Sequence, residues 1–129
     1  MNKKKILVID DEPAVHRLLQ IILEDEGFHI VGLDESEETR RSISKGKPDL
    51  IILDIMMPEL DGFDVLRMLK GDEETQDIPV IILSARNRRE DMDKAKKLGA
   101  DIYLTKPFQP TELLKAVRSV GSSQSANRR

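Results

Sequence analysis

Three features of the 129-residue sequence predict an α/β fold, a five-stranded parallel sheet flanked by five helices. Short, almost wholly apolar runs recur at 6–9, 50–53 and 80–83. Bounded by acidic residues, Pro or Gly, such runs read as strands buried on both faces. Between them, apolar residues recur at three- and four-residue intervals, the period of an amphipathic helix. Regular alternation of the two calls for right-handed crossovers, which lay helices on both faces of a parallel sheet.

The elements follow in order. Ile6-Leu7-Val8-Ile9 is the first strand and ends in Asp10-Asp11-Glu12. Pro13 suits the first turn of a helix, Val15, Leu18, Leu19, Ile22 and Leu23 form its apolar stripe, and Gly27 stops it. A second, less pure strand covers 28–33, and 35–45 read as a helix whose main apolar residue is Ile43. Pro48-Asp49 turns the chain into the third strand, 50–53, which runs straight into Asp54; Pro58 and Gly62 then break the pattern. Phe63, Leu66 and Leu69 mark a helix closed by Gly71. The fourth strand, 80–83, ends in Ser84-Ala85, and Met92, Ala95 and Leu98 mark a helix stopped by Gly99. Ile102-Tyr103-Leu104 is a fifth strand leading into Thr105-Lys106-Pro107. Pro110 opens the last helix, with Leu113, Leu114, Val117 and Val120 inward. One domain is expected over 1–120, with 121–129, which lack periodicity, as a disordered tail or linker.

Composition narrows the chemistry. With no cysteine, disulfides, thiolate metal sites and thiol nucleophiles are excluded. His16 and His29 are too few and too scattered for a zinc site and read as surface residues. A net charge of −3 does not suggest a polyanion-binding surface. No apolar run approaches the roughly 20 residues of a membrane span. The apolar piece after the basic start is too short for a signal peptide, so the expected location is cytoplasmic.

The chemically equipped residues share one address. Asp10 and Asp11, Asp54, Ser84 and Lys106 all follow the carboxyl ends of strands, and in open α/β sheets that edge carries the ligand site. Neighbouring strands lie about 4.8 Å apart, so the carboxylates would crowd one pocket. At 4 Å and an effective dielectric near 20, each like-charged pair costs about 4 kcal/mol. A hard divalent cation that keeps several waters, Mg²⁺ above all, relieves that repulsion, and Lys106 adds a fixed positive charge. A carboxylate beside Mg²⁺, an ammonium and a hydroxyl is equipped to accept a phosphoryl group as an acyl phosphate. The added charge and acceptors would draw the Ser84 hydroxyl, and Tyr103 could then turn into the space behind it.

On VIDDE, LIILDIMMPELDG, VIILSA and YLTKPF, in that order and spacing, the chain resembles the receiver domains of two-component response regulators. The resemblance covers residues 4 to about 120 and implies the strand order 2-1-3-4-5 of the flavodoxin-like, CheY-like fold. It implies Asp54 as phosphoacceptor, with Mg²⁺ bound by Asp11, Asp54 and the Met56 backbone carbonyl, and by Asp10 through water. It further implies that Lys106 and Ser84 contact the phosphoryl group, that Ser84 and Tyr103 form a switch pair, and that Lys106-Pro107 is a cis peptide. Met56 and Arg86 match positions that flank the path of the hydrolytic water; their bulk suggests slow self-hydrolysis. The implied partners are a sensor histidine kinase or phosphotransfer protein and a downstream protein target or fused output domain. Direct nucleic-acid binding and membrane association by this chain are not expected, nor is turnover of a separate substrate. One departure bears on assembly. In Gly99-Ala100-Asp101-Ile102 the second of two acids common in the transcription-factor branch is absent. That leaves a monomer or a weak phosphorylation-dependent dimer as the expectation.

Plainer readings compete at each position. Asp10 and Asp11 also suit a helix N-terminus, Ser84 a cap, Tyr103 edge-strand packing, and the side chains of Met56 and Met57 packing. Arg40-Arg41 and the basic residues of 86–89 read as solvated faces. Among rival functions, an aspartyl-phosphate phosphohydrolase commonly has a second aspartate two residues after the nucleophile, where this chain has Met56. A flavin-binding domain of the same topology would place a phosphate where Asp10-Asp11-Glu12 repel one. A receiver-like interaction module that is never phosphorylated would not need the full set of acids, lysine and hydroxyl.

Overall fold

The computed structural model describes residues 4–33, 43, 47–57 and 61–127, with 33 and 121–127 described by backbone alone. The strands are β1 (Lys5–Ile9), β2 (His29–Leu33), β3 (Leu50–Leu53), β4 (Val80–Ser84) and β5 (Ile102–Thr105). The helices among the described residues are α1 (Pro13–Asp25), α2 (Gly62–Gly71), α3 (Arg89–Lys97) and α4 (Pro110–Asn127). All strand pairs are parallel, in the order β2-β1-β3-β4-β5. This is the architecture the sequence predicts. The helix expected over 35–45 lies outside the described residues except for Ile43, which is buried in the core. Pro58, Arg40, Arg41 and 128–129 also lie outside them.

Alternation along the strands divides the core into two layers. Leu7 and Ile9, Ile51 and Leu53, and Val80 and Ile82 face one way and meet Phe63, Leu66 and Leu69 of α2 and Ala95 of α3. Ile6 and Val8, Leu50 and Ile52, and Ile81 and Leu83 face the other way, toward Leu19 and Leu23 of α1 and Leu113, Val117 and Val120 of α4. Full burial of each such side chain is worth roughly 1.5–3 kcal/mol, so the continuous apolar runs of β1, β3 and β4 dominate the fold. Leu18, expected in the stripe of α1, is exposed, as is Ile21; the buried stripe is narrower.

The backbone of α4 continues helically through Asn127, beyond the end expected near 120. Once a helix is nucleated and packed, each added residue gains a hydrogen bond, so a polar extension needs no apolar stripe. Asp61 caps α2, its carboxylate accepting from the Phe63 amide at 2.9 Å. Beside it, Gly62 touches backbone closely: an added Cβ would lie 2.2 Å from Ile55 Cα and 2.6 Å from the Asp54 carbonyl oxygen. The bare Cα thus lets α2 start directly against the segment carrying Asp54.

Gly62→Ala is expected to cost about 2 kcal/mol or more, because the clash is with backbone that cannot give way. Gly71→Ala, whose Cβ would meet nothing within 4 Å, should leave stability unchanged or raise it by up to ~1 kcal/mol. Urea unfolding of both variants checks the pair; equal midpoints would contradict the packing described.

Candidate functional site

The site is built where three parallel strands end. Asp10 directly follows β1 and Asp54 directly follows β3. The Asp54 amide donates to the Ile9 carbonyl at 3.0 Å, extending the ladder past the strand ends and setting the two acids side by side. Both are buried, 2% and 3% exposed. From the far side, the Lys106 amide donates to the Ser84 carbonyl at 2.8 Å, which fixes the lysine against the end of β4. The Lys106–Pro107 peptide is cis.

Each buried carboxylate divides its oxygens in the same way. Asp10 Oδ1 accepts from the Glu12 amide at 2.9 Å, and Asp54 Oδ1 from the Met56 amide at 2.8 Å. Their Oδ2 atoms both face Lys106 Nζ, at 3.0 Å each. A third acid, Glu12, reaches the same ammonium with Oε1 at 2.9 Å. With all three ionised, three carboxylates face one ammonium, a formal excess of two negative charges.

Electrostatics follow from this geometry. Burial pushes the Asp10 carboxyl above its ordinary value, outweighing the Glu12 amide and Lys106, which pull it down. Burial also works against the charge on Lys106, but the hydrogen bonds it donates to Glu12, Asp10 and Asp54 prevail and raise it above its ordinary value. The lysine is therefore charged throughout the neutral range. Its contribution to stability, present below 10.5, is lost only as pH rises through its raised value.

Asp10, Glu12 and Asp54 each offer an oxygen, and these atoms lie within 4.8 Å of one another, so the three residues can hold a metal ion. An all-carboxylate set with excess negative charge suits a hard divalent cation and not a thiophilic one. Asp11 is half-buried and is not one of the three, although sequence reasoning placed it in the metal shell. Glu12 was missed as a site residue: its signal was adjacency to Asp10-Asp11, but nothing local shows that it reaches across to Lys106. The Met56 side chain, expected to pack, is 47% exposed, whereas Met57 is buried.

The other predicted residues cluster at the end of β4. Ser84 is fully buried, and its hydroxyl accepts from the Arg86 amide at 3.3 Å. Tyr103 is half-buried, and its hydroxyl donates to the Arg86 carbonyl at 2.8 Å. Burial and the charge on Asp91 raise the Tyr103 phenol above its ordinary value. The Arg86 side chain is exposed and lies 3.5 Å from Asp91. His16 corrects the expectation of a surface histidine: it is half-buried, and its Nε2 bonds the Asp10 carbonyl oxygen. Gly32 on β2 leaves room for it, since a Cβ there would lie 2.4 Å from His16 Nδ1. His29 is exposed as expected.

Comparison with known proteins agrees with this geometry. Residues 6–118 match the response regulator receiver domain family. The chain belongs to that family. It is 38% identical over 120 residues to the phosphate regulon transcriptional regulatory protein PhoB of Pseudomonas aeruginosa, covering 93% of this chain and 52% of the relative. It is 40% identical over 120 residues to the alkaline phosphatase synthesis transcriptional regulatory protein PhoP of Bacillus subtilis, covering 93% and 49%. Among solved structures, the signal receiver domain of a signal transduction histidine kinase from Syntrophus aciditrophicus superposes with a TM-score of 0.84 at 35% identity, covering 93% of this chain and 91% of that one. The chain spans about half the length of the curated relatives it matches. As a receiver domain it has the phosphoacceptor role in two-component signalling. No described helix is long and apolar enough to cross a membrane.

The raised Asp10 carboxyl yields a prediction with a definite sign. The folded chain binds its proton more tightly than the unfolded chain, so burying the charge destabilises the fold at neutral pH. That cost is absent below the ordinary value of 3.8 and sets in as pH rises through the raised value. In chelator-treated protein, Asp10→Asn should therefore melt higher than wild type at pH 7, and the gap should narrow as pH falls toward 4. A gap that widens on acidification contradicts the assignment.

Proposed function

We propose that Asp54 is the phosphoacceptor of this receiver and that Asp10, Asp11, Lys106, Ser84 and Tyr103 complete the device. The observation that carries the reading is the convergence of Asp10 and Asp54, both buried, on one lysine at 3.0 Å. A buried carboxylate already bonded by its own loop through Oδ1 and by an ammonium through Oδ2 is oriented before any donor arrives.

The donor is a phosphohistidine of a sensor kinase or of a phosphotransfer protein. An Asp54 oxygen forms the new P–O bond as the P–N bond breaks. The departing imidazole keeps the electron pair and takes up a proton. Asp11, Asp54 and the Met56 carbonyl, with Asp10 through water, would hold magnesium, which would supply neutralisation of the phosphoryl oxygens. Lys106 contributes a charge-assisted hydrogen bond to the same group from the side opposite β1. Ser84 donates its hydroxyl to the added oxygens, and Tyr103 follows by inward rotation, which alters the surface formed by β5 and its neighbours. Met56 and Arg86, both exposed, restrict access of water and lengthen the lifetime of the acyl phosphate.

The chain turns over no separate substrate and works in the cytoplasm. Its output passes through protein contact or a fused output domain, with 121–129 as the connection. It acts as a monomer or a weak phosphorylation-dependent dimer. Asp101 argues against a strong dimer contact: its Oδ2 already accepts from the Val80 amide at 2.9 Å, so an intersubunit ion pair there competes with an internal bond.

Incubation with acetyl phosphate and Mg²⁺, followed by mass measurement and mapping, should find one phosphoryl group on Asp54 and none on Asp54→Asn. Labelling that persists at another residue in the variant overturns the site. Asp11→Ala should weaken Mg²⁺ binding by at least about tenfold, the effect of losing a carboxylate ligand of a hard cation. An unchanged affinity, measured by titration, removes Asp11 from the metal shell.

A further inference from the structure

Lys106 has a full set of partners before any phosphoryl group arrives. An ammonium has three N–H donors and no acceptor. Here three carboxylate oxygens lie within reach of it, from Asp10 at 3.0 Å, Glu12 at 2.9 Å and Asp54 at 3.0 Å. A phosphoryl oxygen that bonds Lys106 while Asp10 and the acylated Asp54 keep their contacts must displace the third. The three are unequal. The Asp10 and Asp54 side chains are 3% exposed, whereas that of Glu12 is 56% exposed. A buried carboxylate stripped of its partner is left uncompensated, while an exposed one is taken up by water at little cost.

Glu12 is also unoccupied by the task its position suggests. It stands at the N-cap of α1, where shorter side chains such as Asp or Ser fold back onto the first turn. Its carboxylate makes no such bond. Its backbone holds the turn instead: the amide donates to Asp10 Oδ1, and the carbonyl accepts from Val15 and His16. The side chain can leave Lys106 without undoing either the helix start or the acidic loop.

We propose that Glu12 is a displaceable placeholder on Lys106, occupying the N–H that the phosphoryl group takes and yielding it by swinging into solvent. Until then it keeps the ammonium aimed between Asp10 and Asp54. The proposal rests on the phosphoacceptor reading of Asp54 and adds a competitor to it. Glu12 thereby sets how readily the pocket accepts a phosphoryl group.

Two measurements on wild type and Glu12→Gln test this. The first is the affinity for trifluoroberyllate, a phosphoryl stand-in, at saturating Mg²⁺. The variant should bind about fivefold tighter, the scale of an exposed ion pair removed from competition. The second is the rate at which Lys106 is acetylated by acetic anhydride in metal-free protein, followed by peptide mass mapping. It should rise severalfold in the variant, because one of three restraining carboxylates is gone. Equal acetylation rates mean the contact does not hold the lysine in solution and overturn the proposal. So does faster acetylation without tighter trifluoroberyllate binding, since the contact then does not compete. Tighter binding at an unchanged acetylation rate also overturns it, reducing the effect to general charge repulsion. If wild type itself does not bind trifluoroberyllate, the phosphoacceptor reading falls first and the placeholder with it.

Discussion

Convergence of like charge on a single ammonium is the constraint that shapes this molecule. Two buried acids at adjacent strand ends repel each other strongly in a low-dielectric setting. Lys106 makes their proximity tolerable, and it reaches them because its own backbone is bonded to the end of β4. The lysine thus ties β1, β3 and β4 together at the edge where a parallel sheet has no further ladder bonds to offer. Removing either buried acid would relax the others; removing the lysine would leave two uncompensated charges in the interior. The arrangement is held under electrostatic load, and a bound cation or phosphoryl group changes the balance at once.

Most of the fold could be read from the sequence because the central strands β1, β3 and β4 are buried on both faces. Runs such as Leu50–Leu53 and 80–83 have no polar residue inside them to blur the pattern. The helices were less distinct. Leu18 belongs by spacing to the stripe of α1 yet lies on its solvent rim, because spacing alone does not say how wide a stripe the sheet can cover. The continuation of α4 through Asn127 had no periodic signal, since a helix carried onward by its own hydrogen bonds needs none.

The site divides along the same line. Asp10, Asp54, Ser84 and Lys106 stand at strand ends, so their meeting followed from topology. Glu12 and His16 lie within a turn and a helix, and their roles depend on where the side chains point. Glu12 turns away from α1 toward Lys106, and His16 turns back to the Asp10 carbonyl under a glycine on the neighbouring strand. Neither direction is written in residue type or spacing. Asp11 shows the converse: motif position marks it strongly, yet it stands apart from the trio whose oxygens share one space.

The backbone of Arg86 accepts from Tyr103 on one side and donates to Ser84 on the other. Two side chains on different strands are thereby geared through the φ and ψ of one residue. Because the gearing uses main-chain atoms, it is indifferent to which side chain evolution places at that position, leaving the arginine free to serve other ends. Proline alone, having no N–H to give, would uncouple the pair.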